Sequence, residues 1–298
     1  MARPGTLTLP LLAASGAILL WSSLAVLGVA LAHLPPLLLT GCALVIGALP
    51  GMLHWRLWRV PWRTLLLGIG GLFGFHLLLF MALRFAPPVE ANLVNYLWPL
   101  LIVLLTPVVL PGWRLTTRHI LAACLGFAGA VLAIGIAPTA ITSRASLGFG
   151  FAAASALVWA LYSLLSRQVA PFSSWAIGGF ALASGVLALV CHSLFEAPAS
   201  WRSGDLLRLV VLGLGPMGAA FYLWDIAMKR GDPRTIGVLA YATPVLSTLF
   251  LLVASGRPLT GALALATMLI VGAAVFALKA PVDSTIASSP SGDLQNRR

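Results

Sequence analysis

The chain has 298 residues, 60% of them hydrophobic and only 8% charged, with a formal net charge of +11. Soluble domains carry about 25% charged residues, so this chain cannot clothe a water-facing surface, and a soluble enzyme is excluded. It is also far too apolar for a disordered chain, and its cations are scattered over short loops with no basic stripe for nucleic acid.

A polytopic membrane protein remains. Crossing the hydrocarbon core takes about 20 apolar residues in a helix. Ten such runs follow in chain order: 9–31, 36–54, 63–83, 91–110, 117–136, 148–167, 174–195, 206–228, 235–255 and 259–279. The first run follows a single Arg3 and lacks a clear small-residue cleavage site, so it reads as a membrane helix and not a cleaved signal peptide. Pro and Gly punctuate the gaps, at Pro35-Pro36, Pro87-Pro88, Pro111-Gly112, Pro138, Pro171, Gly231-Asp232-Pro233 and Gly256-Arg257-Pro258. Residues 281–298 are rich in Ser, Pro and polar side chains and are expected to form a disordered cytoplasmic tail. Cys42, Cys124 and Cys191 all lie inside apolar runs and are expected as small buried hydrophobes, not as disulfides or metal ligands.

Lys and Arg set the orientation. With the N-terminus inside, thirteen of the 18 cations fall on the cytoplasmic side, among them Arg56, Arg59, Arg63, Arg114, Arg118, Arg167, Lys229, Arg230 and Arg234. The other five are Arg84, Arg144, Arg202, Arg208 and Arg257. Both termini are therefore expected in the cytoplasm, and the loops leave no room for an extramembrane catalytic domain.

The chain also repeats itself. Gly68-x-Gly70 returns as Gly213-x-Gly215, Ala82 as Ala227, and Tyr96-Leu97-Trp98-Pro99 as Tyr241-Ala242-Thr243-Pro244, all at an offset of 145. Trp21 and Trp159 occupy the first helix of each set of five. The expected organisation is thus an all-α bundle of two five-helix halves, 1–140 and 141–280, around a central cavity. Five is odd, so the second half enters the membrane upside down relative to the first. Inverted repeats are a recurring transporter architecture, because two such halves can exchange conformations and open a central cavity to either side. Gly70 and Gly74, and the Ala122, Gly126, Ala130 series, have the spacing of close helix packing.

Polar groups inside a span must face protein or a cavity. On the fourth helix, Asn92, Asn95, Tyr96 and Pro99 share a face that Trp98 flanks, and Pro99 deprives the Asn95 carbonyl of its helical donor. A kinked helix with a free carbonyl, an amide and two aromatics is a candidate substrate wall, with Pro99 and the matching Pro244 as hinges. Tyr241 is the counterpart of Tyr96. An interfacial aromatic belt with a packing kink would leave the same pattern. Ser155, Trp159, Tyr162, Ser163 and Ser166 form an arc on the sixth helix, with Trp159 at mid-membrane and Trp21 as its counterpart. Such an arc is equally compatible with ordinary core. His76, deep in the third helix, is a candidate cavity residue able to donate, accept or bind a proton. Nothing accompanies it at metal-ligand spacing.

Asp225 is the one acid inside a predicted helix. An i,i+4 pair with Lys229 explains it best, with a coupling or gating role as the alternative. Glu90 reads as a helix N-terminal acid. The lack of a deeply buried carboxylate lowers the case for strict proton antiport and favours facilitated diffusion. No nucleophile elbow, zinc motif, P-loop or paired acids occur in the spans, so neither an enzyme nor an ATP-driven pump is expected, and no cofactor or metal is implied.

These features resemble the drug/metabolite transporter superfamily and its paired EamA repeats, over nearly the whole membrane domain. Within it, Leu20-Trp21-Ser22, Val94-Asn95-Tyr96-Leu97-Trp98-Pro99, Trp159-Ala160-x-Tyr162 and Tyr241-x-Thr243-Pro244-Val245-Leu246-Ser247 resemble the aromatic amino acid exporters. The resemblance implies export of aromatic and other neutral or hydrophobic amino acids through a bacterial inner membrane by alternating access. It puts Tyr96, Trp98 and Trp159 where cavity-lining aromatics are expected. His76 stands where those exporters carry Tyr, a departure that would polarise the pocket. The expected partners are small amino acids and the lipid bilayer, with no nucleic acid, and a monomer suffices because the chain contains both halves. The alternative is a drug or small-metabolite exporter driven by proton antiport, which would need a membrane acid as cation partner.

Overall fold

The computed structural model describes residues 5–134, 143–256 and 261–279. The tail 281–298 and the gaps at Pro138 and Arg257-Pro258 lie outside the described residues. Every regular element among the described residues is helical. In chain order they are α1 (Gly5–Ser22), α2 (Leu24–Ala30), α3 (Pro36–Met52), α4 (Trp62–Ile69), α5 (Phe75–Phe85), α6 (Pro88–Asn95), α7 (Trp98–Val109) and α8 (Thr117–Ile134). Then come α9 (Ser143–Leu165), α10 (Ile177–Phe195), α11 (Asp205–Leu214), α12 (Ala220–Arg230), α13 (Pro233–Leu239), α14 (Ala242–Ser255) and α15 (Gly261–Leu278). Wider π turns, Gly70–Gly74 and Gly215–Ala219, join α4 to α5 and α11 to α12.

Read as continuous stretches, nine segments among the described residues are long and apolar enough to cross a bilayer. They coincide with nine of the ten predicted runs. The remaining run, 36–54, forms α3, which is apolar and 17 residues long. The stretch on the sixth run begins at Ser143, five residues before the predicted start.

Helix packing follows the internal offset. α3 packs on α10 and α8 on α15, while α5 packs on α9 and α1 on α12. Each pairing maps onto itself or onto another of the set when the halves are exchanged. The irregularities recur as well. The π turns start at Gly70 and Gly215, α6 and α13 start at Pro88 and Pro233, and the chain breaks at Tyr96-Leu97 and at Ala240-Tyr241.

Those breaks differ from the single kinked helices that the sequence suggests. Helix α6 ends at Asn95 and α7 begins afresh at Trp98, so Pro99 sits in a first turn, as does Pro244 in α14. A proline there sacrifices no intrahelical hydrogen bond, so an interruption is less expensive than a bend.

The small-residue packing is shifted too. A Cβ on Gly70 would meet nothing within 4 Å, and one on Gly74 would meet only Val158, at 3.9 Å. The close approaches fall instead at Gly68, against the Phe180 ring, and at Gly71, where a Cβ would lie 2.3 Å from Tyr162 Cγ. The π turn widens the winding and so rotates different glycines onto the α9–α10 side. The second series holds: Ala122, Gly126 and Ala130 are buried, with Gly126 against the Tyr241 ring. Gly71→Val is expected to abolish monodisperse folded protein in detergent, because a ring carbon already occupies the added volume. Size-exclusion chromatography checks this, with Gly70→Ala as the tolerated control. The cysteines are free, but none is fully buried: Cys42 and Cys191 are half-buried and Cys124 is exposed. The outer face of this bundle is itself apolar, so an apolar position need not be an interior one.

Candidate functional site

A layer of aromatic rings closes the middle of the bundle. Trp21 from α1, Trp98 from α7, Trp159 from α9 and Trp224 from α12 converge there, and all four are buried. Ring centroids lie 5.1 Å apart for Trp21–Trp224, 5.4 Å for Trp98–Trp224, 5.7 Å for Trp21–Trp159 and 6.5 Å for Trp98–Trp159. Most meet edge to face, the arrangement that ring quadrupoles prefer. Two indole donors are fixed: Trp21 Nε1 donates to the Pro216 carbonyl at 3.1 Å and Trp224 Nε1 to Ser163 Oγ at 3.0 Å. The first of these ties α1 to the π turn at Gly215–Ala219.

Above this layer lies a cavity of about 410 Å3, lined mainly by apolar and aromatic side chains. Trp21, Trp98 and Trp159 form its floor, with Phe75 and Phe221 beside them. Its polar lining comes largely from α5 and α6. His76 Nδ1 lies 2.6 Å from the Leu72 carbonyl, which can only accept, so the neutral ring carries its proton on Nδ1. Nε2 is left as a hydrogen-bond acceptor toward the cavity. Ser155 Oγ lies 3.1 Å from both the Asn95 carboxamide oxygen and the Phe75 carbonyl, which share its one proton, and the Asn95 NH2 remains as a donor. Asn92 and Tyr96 line the cavity as well, and Thr40, Thr243 and Ser247 lie among the remaining lining residues.

The structure therefore brings together seven of the singled-out residues: Trp21, His76, Asn92, Asn95, Tyr96, Trp98 and Trp159. Others lie elsewhere. Tyr162 backs Trp159 at 5.3 Å and packs on Gly71, away from the cavity. Tyr241 is fully buried against Gly126 and Phe127. Asp225 forms an ion pair with Lys229 at 2.7 Å, the i,i+4 pairing expected, and neither lines this cavity. Sequence reasoning missed Phe75, Phe221 and Trp224. The repeat pointed to one of them, since Phe221 is the counterpart of His76 at an offset of 145, and Thr243 likewise is that of Trp98.

Beyond the ring layer the opposite end is tied shut by cations. Lys229 donates to the Phe172 carbonyl at 3.1 Å. Arg167 donates to the carbonyls of Met228 and of Gly231, the latter at 2.7 Å. Arg234 reaches the Arg114 carbonyl and pairs with Asp232 at 2.8 Å. The guanidinium groups of Arg167 and Arg234 both lie over the Trp113 ring, at 5.3 and 4.9 Å from its centroid. Burial pushes the Arg167 guanidinium down from its usual range, and Asp232 opposes that shift. The intrinsic pKa is high enough that the group stays charged.

A membrane bundle with a mainly apolar cavity, polar along one wall, above a closed aromatic floor has the form of a solute carrier. The chain belongs to the EamA-like transporter family, whose profile matches it twice, over residues 8–135 and 146–279. It is a multi-pass membrane transporter and not an enzyme. The chain is 47% identical over 279 residues to a protein of Ancylobacter novellus named aromatic amino acid exporter YddG, covering 88% of this chain and 94% of the relative. A protein of the same name from Escherichia coli K12 is 25% identical over 218 residues, 69% of this chain and 73% of that one. A solved crystal structure matches with a TM-score of 0.84 at 46% sequence identity, covering 89% of this chain and 96% of that chain.

Proposed function

We propose that the protein exports aromatic and other neutral or hydrophobic amino acids across a bacterial inner membrane. The observation that carries this reading is the pairing of the aromatic floor with one acceptor and one donor on the same wall. An amino acid zwitterion needs an acceptor for its ammonium group, which His76 Nε2 supplies, and a donor for its carboxylate, which the Asn95 NH2 supplies. The faces of Trp21, Trp98, Trp159 and Tyr96 take the side chain by area and by stacking, which tolerates varied shapes. None of the described lining residues is charged. That suits a net-neutral solute better than a drug cation or a phosphorylated metabolite, which would want a buried counter-charge. The 47% identity to a protein named as an aromatic amino acid exporter supports the same class.

The transport cycle is alternating access between two inverted five-helix halves, residues 1–140 and 141–280, with ten spans including α3. The helix pairings that survive exchange of the halves support this arrangement. The basic end, with Arg56, Arg59, Arg63, Arg114, Arg118, Lys229 and Arg234, is cytoplasmic by the bias of positive charge, as are both termini. The cavity then opens outward and the tie at Lys229, Arg167 and Arg234 is the closed inner gate. The breaks before Pro99 and Pro244 are the hinges on which α7 and α14 swing, and the Asp225–Lys229 pair is part of the gate. Transport is facilitated diffusion or weakly coupled transport by a monomer: none of the described lining residues is an acid, and His76 is the lining group able to take a proton.

Flux into and out of proteoliposomes holding only this protein tests the reading. Tryptophan and phenylalanine should equilibrate down their own gradients whether or not a pH gradient is imposed. Absence of amino acid flux beside an active control carrier would overturn it. Flux only under a pH gradient would replace uniport with coupling. His76→Leu is expected to raise the KM for tryptophan about tenfold through loss of the acceptor, with smaller effect on an indole substrate that lacks the ammonium. Equal losses for both would take His76 out of ammonium recognition.

A further inference from the structure

A second cavity of about 320 Å3 lies at the basic end of the bundle, beyond the ring layer. Helix α12 serves both cavities. Phe221 lines the first, while Tyr222, Ile226, Lys229 and Arg230 line the second. The opposite wall is the segment from Phe172 to Trp175. The Trp175 ring stands 5.7 Å from Tyr222 and is stacked on His54 at 4.3 Å, which holds it upright.

The polar groups are those of an anion site. Lys229 Nζ is shared between Asp225, at 2.7 Å, and the Phe172 carbonyl. Its neighbour Arg230 is exposed, and its side chain makes no ion pair or hydrogen bond among the described residues. Ser173 Oγ accepts from the Trp175 amide at 3.3 Å, leaving its own proton to donate. Two cations against one carboxylate leave one positive charge uncompensated. One further carboxylate would balance it, and the neighbouring rings would take a flat apolar group. The volume falls within the usual range for small-molecule pockets, about 300–1,000 Å3.

We infer that this cavity is a loading site that takes the carboxylate and ring of an aromatic amino acid before it reaches the central cavity. The inference rests on the exporter reading above. Arg230 and the Ser173 hydroxyl hold the carboxylate, and Trp175 and Tyr222 flank the ring. A carboxylate beside Lys229 competes with the Phe172 carbonyl for its protons. Filling the site therefore loosens the tie between α12 and the 172–175 segment, and the solute itself helps to open the end through which it arrives.

The test uses Ile226→Cys, a lining position that is given no contact with the carboxylate, in a background of Cys42→Ala, Cys124→Ala and Cys191→Ala, reconstituted in phosphatidylcholine vesicles. The rate of labelling by methyl methanethiosulfonate, a small neutral reagent, is read with L-tryptophan or tryptamine present. L-Tryptophan is expected to slow labelling about tenfold, and tryptamine, which lacks the carboxylate, to leave it unchanged. Arg230→Gln is expected to raise the tryptophan concentration needed for protection about tenfold, the loss of one charge-assisted hydrogen bond. Protection should persist when Trp159→Ala disables the central floor. No protection in vesicles that transport tryptophan would overturn the loading site. So would protection that disappears with Trp159→Ala, because the label would then be sensing the central cavity. Protection abolished by phosphatidylglycerol would assign the anion site to a lipid headgroup and overturn it equally. Protection without any tryptophan flux would support the site while refuting the exporter reading.

Discussion

Trp159→Ala is expected to lower the initial rate of tryptophan flux about 100-fold. Trp159 is the hub of the floor: its ring lies 5.3 Å from Phe75, 5.3 Å from Tyr162, 5.6 Å from Phe221 and 5.7 Å from Trp21. Aromatic pairs contribute about 0.5–1.5 kcal/mol each beyond their buried area. Losing the contact with the solute, and the positioning of the rings that make the next contacts, amounts to about 3 kcal/mol, or two decades. The bundle itself should survive, because α9 also packs through Ala152, Ala156 and Ala160, all fully buried. Trp159→Phe keeps a ring in the layer and is expected to fall within about tenfold of the parent. The measurement is initial flux in proteoliposomes, normalised to monodisperse inserted protein. Full activity of Trp159→Ala would take the floor out of the solute path.

What could be read in the sequence follows from what the bilayer forces on it. Span lengths and apolar runs are dictated by membrane thickness, and the nine long helical stretches duly sit on nine of the runs. Trp159 and Trp98 were legible because a large amphipathic ring at mid-membrane has few other uses. The break at Tyr96-Leu97 was not legible. An apolar run looks the same whether it folds as one helix or as α6 and α7, and Pro99 reads as a kink as readily as a first-turn residue. Phe75, Phe221 and Trp224 stayed hidden for the opposite reason. Phe is the default filler of a membrane bundle, and only three-dimensional convergence makes it part of a floor.

The internal offset was informative but did not transfer roles one to one. His76 and Phe221 are counterparts and both line the cavity, as do Trp98 and Thr243. Tyr96 and Tyr241 are counterparts as well, yet Tyr241 is buried against Gly126. The cavity is thus built from paired positions carrying unlike residues. Polar chemistry is concentrated on the α5–α6 side, so a zwitterion would bind in one orientation although π turns and helix starts recur at the same offset. Tyr162 shows the complementary trap: it sits one turn from Trp159 on the same arc, but the close approach of Gly71 draws it into the helix interface instead. A glycine that makes room for a ring cannot be told from a flexible one by sequence spacing alone.

The cationic end supplies the other large effect. Arg234→Gln is expected to lower the melting temperature in detergent by about 5–10 °C. Arg234 is fully buried, pairs with Asp232 at 2.8 Å, reaches the Arg114 carbonyl and stacks on Trp113 at 4.9 Å. Asp232 in turn caps α13 by accepting the Arg234 backbone N–H at 2.9 Å. Removing the guanidinium strands a mostly buried carboxylate, and breaking a buried pair from one side costs about 3–5 kcal/mol. Arg234→Gln combined with Asp232→Asn removes that stranded charge and should recover part of the loss, because an Asn side chain can still cap the helix. Arg118→Gln is the contrast. Arg118 also spans two elements, donating to the Lys279 carbonyl at 2.9 Å, but it is exposed and should shift the melting point by less than about 2 °C. If Arg234→Gln and Arg118→Gln melted alike, burial would not be what gives the cationic end its strength. The contact of Arg167 with Trp113, at 5.3 Å, would then have to hold that end closed without Arg234.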